Sequence, residues 1–289
     1  MSQYINKIRT DAGDLQINYN ALANLPTISN PNLLINSDFR NPVNQRGQTT
    51  YIGATDKTYT IDRWCHNTTD EGRTLQVLNG YVKYSNPNTT YQSFWLQHFE
   101  RKLEDGYYTI TVNVKSVTKD VWVGNMLGDS SSSVKWGNSS TFALKSGINT
   151  FTFYGSAIGL YFQASISSSV ELYWVKLEYG NTPTAFVPRL YGEELALCRR
   201  YYSVLVPSCM IIARQRYDGY SSYFAGMPYP NVMRVVPNVT YDSKVSDTGE
   251  ILTGTLGMTR DEYCISYFSF VGDKDGIELT KVLLDAEIY

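Results

Sequence analysis

Residues 171–202 read Glu171-Leu-Tyr-Trp-Val-Lys-Leu-Glu-Tyr-Gly-Asn-Thr-Pro-Thr-Ala-Phe-Val-Pro-Arg-Leu-Tyr-Gly-Glu-Glu-Leu-Ala-Leu-Cys-Arg-Arg-Tyr-Tyr202, and the stretch changes character twice. From Glu171 to Glu178 there is no helix-spaced apolar stripe. Tyr173, Val175 and Leu177 alternate with Leu172, Trp174 and Lys176, the period of a strand with both faces occupied. Gly180, Pro183 and Pro188 then interrupt both helix and strand and force an extended crossing segment. After Gly192, Glu193-Glu-Leu-Ala-Leu-Cys-Arg-Arg200 is made of good helix formers, with an acidic start and a basic end that complement the helix dipole. One β unit therefore closes here, a linking helix occupies 191–202, and a second unit begins.

The 289 residues suffice for two domains, each with its own core. With 25 basic and 27 acidic residues the formal charge is −2, so no excess of positive charge points to nucleic acid or an anionic membrane as partner. Tyrosine stands out at 24 copies, beside 5 Trp and 11 Phe. Its flat ring and polar tip suit both half-buried strands and wet recognition surfaces. Cys65, Cys198, Cys209 and Cys264 form no Cys-x-x-Cys pair, and His66 and His98 stand alone, which argues against a zinc site. Residues 1–14 lack the apolar core of a cleavable signal, so free thiols in a reducing compartment are expected. The longest apolar stretch, 204–213, is too short to span a bilayer, and no membrane insertion is expected.

Residues 1–30 do not make a domain. Leu15-Gln-Ile-Asn-Tyr19 alternates like one lone strand, which cannot bury itself. The segment either docks onto a copy of itself or a larger assembly, or is a disordered tail. Residues 31–190 read as one all-β unit. Strands are expected at 59–64, 93–100 and 107–115, with a turn at Glu104-Asp105-Gly106. Others follow around Trp122, at Phe151–Phe153 and at Leu160–Ile166. Short strands separated by Gly, Asn, Asp and Ser make a sandwich or jelly roll. Residues 203–289 form a smaller β unit, with strand candidates at 204–214, 223–227, 232–241, 263–270 and 277–288. Gly272-Asp-Lys-Asp-Gly276 has the chemistry of a tight turn, and its two carboxylates are too few for a calcium loop.

Several stretches in order resemble bacteriophage fibre and receptor-binding proteins with a carbohydrate-binding-module-like jelly roll. They are the leader at 8–26, Asn32-Leu-Leu-Ile-Asn36 with Phe39, Asp62-Arg63-Trp64, and Gln97 ahead of Leu103-x-x-Gly106. Leu177-Glu178-x-Gly180 and the junction at 189–202 complete the set. The resemblance covers most of residues 8–202, and a weaker one links Met233–Thr240 and Leu284–Ile288 to small β-sandwich fibre tips. It implies a homotrimer within a virion assembled in the bacterial cytoplasm, other virion proteins bound through residues 1–30, and a host cell-surface glycan as ligand. Such modules often carry a structural calcium ion, for which no ligands are assigned here.

No catalytic constellation emerges. There is no Gly-x-Ser-x-Gly elbow, phosphate loop or His-Glu-x-x-His, and His98 lies inside a strand beside Phe99. A non-enzymatic protein is expected. Binding chemistry fares better, because sugars are held by flat rings with amides and hydroxyls around them. The first unit offers Trp122, Trp136, Tyr161 and Gln163. The second offers Arg216, Tyr217, Tyr220, Tyr223 and Tyr229, favoured because fibre tips meet the receptor. The fold expected is all-β: an attachment segment over 1–30, a jelly roll over 31–190, a helix over 191–202 and a β-sandwich tip over 203–289. The function expected is host-surface adhesion. A structural head-fibre or baseplate decoration without a glycan site is the alternative, and a cell-wall glycan hydrolase a third.

Overall fold

The computed structural model describes residues 7–10, 13–16, 29–53, 57–67, 72–127, 140–205, 209–211, 215–217, 220–223, 227–245, 257–271 and 277–287. At the N-terminus, β1 (Lys7–Thr10) and β2 (Gly13–Gln16) form a two-stranded antiparallel sheet of their own. A hairpin therefore stands where alternation suggested one lone strand at 15–19. Residues 17–28 lie outside the described residues.

The next nine strands are β3 (Thr50–Ile52), β4 (Cys65–His66), β5 (Thr74–Leu78), β6 (Tyr81–Asn86) and β7 (Ser93–Thr118), then β8 (Val121–Met126), β9 (Thr141–Ala143), β10 (Gly147–Ala164) and β11 (Ser168–Tyr179). They hydrogen-bond in the order β3-β5-β6-β11-β7-β10-β8-β9, with β4 also on β7, and every pairing is antiparallel. The turn expected at Glu104–Gly106 is absent. Instead β7 runs through it for 26 residues. The bend is taken up by register shifts against β10 between Gly155 and Gly159, where β7 carries the extra residues, so both strands pass from one layer of a sandwich to the other. The layers meet where Tyr84 of β6 stacks at 6.0 Å on Trp95 of β7, which itself stacks at 4.5 Å on Trp64. Val82, Ile110, Val112, Val123, Leu160, Phe162 and Val175 fill the rest of this core.

Helix α1 (Tyr191–Arg199) follows an extended crossing segment, close to where the sequence placed it. At nine residues it is too short to stand alone and needs outside contacts. Glu194 supplies one, accepting the Asn36 amide at 2.6 Å and an ion pair from Arg189 at 3.2 Å. Beyond it come β12 (Tyr202–Leu205), β13 (Cys209–Ile211), β14 (Gln215–Tyr217), β15 (Tyr220–Tyr223) and β16 (Met227–Pro228), then β17 (Asn238–Val245), β18 (Gly257–Arg260), β19 (Cys264–Val271) and β20 (Ile277–Asp285). A four-stranded sheet is built around β20 and a five-stranded sheet around β19. Tyr229, Met233, Ile265, Leu279, Val282 and Leu284 form a second core. The strand expected at 232–241 starts only at Asn238, after Pro237, and the one expected at 204–214 is split into β12 and β13. The protein is all-β with a single helix among the described residues. No helix among them is long and apolar enough to cross a membrane.

The two β units are joined by buried charge. Arg63, 2% exposed, pairs with Glu287 at 2.7 Å, donates to the His98 carbonyl at 2.6 Å and lies 3.6 Å from the Tyr201 ring centroid. Arg46 bridges Asp62 at 3.4 Å and Glu287 at 3.5 Å, with its guanidinium 3.8 Å over Tyr202. Gln45 donates to both Asp62 and the Tyr202 carbonyl at 2.6 Å. The Ala286 amide closes the joint on the Tyr201 carbonyl at 2.7 Å.

Removing one member of such a pair strands the other charge out of water. Glu287→Ala is expected to cost about 3–5 kcal/mol, read as a lower urea midpoint. Burial also pushes the Asp62 carboxyl up to about 6, with Arg46 opposing it. Its folded value exceeds the ordinary one, so this group's contribution to stability is present at low pH and fades as pH rises through about 6. The urea midpoint of Asp62→Asn is expected to lose that part of the slope between pH 4.5 and 7, at most about 1.4 kcal/mol per unit for one proton.

Candidate functional site

Alternation along the long strands decides which rings can meet a ligand. On β7, Trp95 faces the main core while Phe94 and Leu96 fall on the far side; on β10, Leu160 and Phe162 face in and Tyr161 out. This outward face carries a smaller apolar cluster of Tyr59, Cys65, Phe94, Leu96, Met126 and Tyr161. Tyr161 packs edge-on to Phe94 at 5.8 Å and shares a 2.9 Å hydrogen bond with the Thr141 hydroxyl. It lies flat because β8 has Gly124 beneath it, where a Cβ would sit 2.7 Å from the Tyr161 ring.

Trp122 stands on the same face, directly opposite Gln163 in the β8–β10 register and opposite Ala143 on the other side. Trp122 and Gln163 are half-buried, and the Gln163 amide donates to Gln92 at 2.6 Å. A partly open indole beside two side-chain amides and a hydroxyl can stack on an apolar sugar face and bond to its hydroxyls. Sequence reading named Trp122, Tyr161 and Gln163 and missed Gln92, which lies one residue before a strand with no periodic signal. Trp136 lies outside the described residues.

The tip residues are placed by backbone register. Tyr217 on β14 sits opposite Tyr220 on β15, Arg216 opposite Ser221, and Tyr223 opposite Phe268 on β19. Tyr229 departs from expectation. It is 8% exposed in the second core, and burial raises its phenol to about 12, so its ring is a packing group and not a platform.

A groove of about 250 Å³ opens beside the joint, walled by Leu33, Phe99, Leu103, Tyr179 and Tyr201, with His98 and Glu100 also on its wall. Glu100 does not have the character of a general acid. Burial raises it, but the Tyr201 hydroxyl at 2.8 Å and Arg200 outweigh that and hold it below the ordinary carboxylate range. His66 is fully buried, and burial followed by Arg73 pushes it down to about 3, so the ring is uncharged near neutrality. Among the described residues no three His, Cys, Asp or Glu are grouped to hold a metal ion. Among the described residues, Cys65, Cys198 and Cys264 form no disulfide.

No family model matches the chain, and no curated protein does. Solved structures that align with it include one described as "CBM4 structure and function", at 19% identity over 41% of this chain and 95% of that one, with a TM-score of 0.32. Another is TmCBM61 in complex with β-1,4-galactotriose, at 12% identity over 52% and 99%, with a TM-score of 0.28. The CBM22 tandem domain of Paenibacillus barcinonensis Xyn10C aligns at 8% identity over 92% of each chain, with a TM-score of 0.29. At these identities and scores the likeness bears on neither the family nor the ligand of this chain.

The Tyr229 hydroxyl is buried with no hydrogen-bond partner among the described residues. Tyr229→Phe is therefore expected to leave stability unchanged or raise it by about 1 kcal/mol. Thermal unfolding checks this, and a fall of similar size would show a bonded hydroxyl.

Proposed function

We propose that this protein is an adhesive fibre component of a bacteriophage virion that binds host cell-surface glycan without turning it over. The observation that carries the binding half of this reading is Trp122, set half-open beside Gln163 and Gln92 on a strand-built face. The virion half draws on the order of the sequence landmarks. Their side chains are also spent on internal bonds. Asn32 bonds Ser37 and the backbone of residues 34, 175 and 177, and Asn36 ties residues 43 and 62. The Gln97 amide clamps the Ile35 backbone from both sides, and Arg63 reaches Glu287. The first three brace the opening segment of the jelly roll and Arg63 ties that unit to the second, which suits a protein that must carry load between a particle and a cell.

In this reading residues 1–30 attach to other virion proteins, 31–190 form the jelly roll, 191–202 the link, and 203–289 the tip. The tip hairpin with Arg216, Tyr217, Tyr220 and Tyr223 supplies a further contact surface. The assembly is a homotrimer, and threefold repetition turns weak sites into firm adhesion on a repetitive glycan.

Trp122→Ala is expected to weaken adsorption of the full-length protein to host cells by about 2 kcal/mol, roughly 30-fold, as for a central aromatic anchor. Its unfolding midpoint should stay near the parent's, because the ring is half-open. Undiminished adsorption would remove Trp122 from the binding surface, and a parent protein that adsorbs to no host envelope would favour the structural-decoration reading. Sedimentation of the parent as a monomer would overturn the trimer.

A further inference from the structure

The opposite face of the jelly roll holds a second pair of rings. In the part of β7 and β10 that forms the other layer, Tyr108, Ile110, Val112 and Phe153 face the core, so Tyr107, Thr109, Thr152 and Tyr154 point outward. The crossing segment after β11 covers the middle of this face. Its Gly180 carbonyl accepts the Thr109 hydroxyl at 2.8 Å, and Phe186 stacks on Trp174 at 4.4 Å. The end of the face is left bare. There Tyr107 and Tyr154, directly opposite in register, meet edge to face at 5.0 Å with 68° between their planes, and they are 55% and 65% exposed.

We propose that Tyr107 and Tyr154 form a second carbohydrate-stacking site, for a neutral sugar unit, on the face opposite Trp122. The proposal rests on the glycan-binding reading above. Two planes at 68° make a corner: one ring presents its face to the apolar side of a sugar, while the other closes one edge and offers its phenol. The flanks are open, because Gly155 and Gly180 have free space where a Cβ would stand. The exposed Thr152 hydroxyl lies two residues along β10 from Tyr154, within the same row of outward positions. Glu104 and Asp105, both exposed, precede Tyr107 by three and two residues and place negative charge beside the rings, which disfavours acidic sugars.

Size argues against a second copy of the chain as occupant. The two rings together expose roughly 250 Å², far below the roughly 800 Å² per partner of a stable subunit contact. The next exposed large apolar residue on β10, Ile148, lies six positions away, roughly 20 Å along the strand.

The test is affinity electrophoresis of the full-length protein in gels containing xylan, β-glucan, galactan or dextran, with polygalacturonate as the acidic polymer. Tyr107→Ala/Tyr154→Ala is expected to weaken retardation by the neutral polymer that retards the parent by about fivefold or more. Tyr107→Phe/Tyr154→Phe, which keeps the rings, should stay within about twofold. Tyr154→Ser serves as a milder variant if the double alanine form misfolds. Retardation equal to the parent's would overturn the proposal and leave the Trp122 reading standing. A loss of assembly mass in sedimentation would overturn it in favour of a subunit contact, and preferential retardation by polygalacturonate would overturn its neutral-sugar chemistry. If the parent is retarded by none of the polymers, the glycan-binding reading falls and takes this site with it.

Discussion

A guanidinium buried between two β units governs the architecture. Arg63 sits at φ +72, a left-handed backbone that a long side chain adopts at a cost of about 1 kcal/mol or more. That twist turns the side chain out of the jelly roll's own core and toward Glu287. A charge so enclosed is tolerable only when paired and hydrogen-bonded, so its neighbours follow by necessity. Glu287 must be there, the His98 carbonyl must accept, and Tyr201 must offer its face. Arg46, Asp62 and Gln45 then extend the network to Tyr202. Hydrophobic packing would hold two sandwiches together more cheaply, but charge with this geometry admits one mutual orientation.

The two proposed binding surfaces both lie on the jelly roll. Trp122 stands on β8 beside Gln163 of β10, and the Tyr107–Tyr154 pair stands on β7 and β10, so the long strand β10 runs through both surfaces. Both surfaces therefore sit on ladder-bonded backbone, and neither depends on a loop finding its place. Gly124 is the small-residue concession that lets Tyr161 lie flat under the first surface. The register shifts near Gly155 are the corresponding concession where the strands change layer.

The alternation of Tyr108, Ile110 and Val112, the punctuation at Gly180, Pro183 and Pro188, and the charge order of 193–200 were legible as strand, crossing and helix. Each is a local property with a fixed period or a fixed backbone constraint. Tyr161 and Gln163 share their face with Trp122 for the same reason, since a strand period of two assigns faces without further information. What stayed hidden was non-local. Glu104–Gly106 has turn composition, yet pairing with β10 at Leu103 and Gly106, on either side of the irregular step, keeps the strand running. Tyr229 has the makings of a surface ring, yet Met233 and Leu279 bury it. Asp62-Arg63-Trp64 was visible as a landmark, but its purpose needs Glu287, 224 residues further on. Tyr107 and Tyr154 lie 47 positions apart, and only the β7–β10 register sets them opposite one another.

The distance along the chain between Arg63 and Glu287 has a consequence for synthesis. A nascent jelly roll has all its strands once residue 179 is made, but the Arg63 guanidinium still lacks its counter-charge. Until β20 arrives, Arg63 has only the His98 carbonyl and, once made, the Tyr201 ring. Translation thus reaches the final lock last. A polypeptide cut short before Glu287 leaves that buried ion unneutralised, so the last residues of the second unit complete the electrostatics of the first.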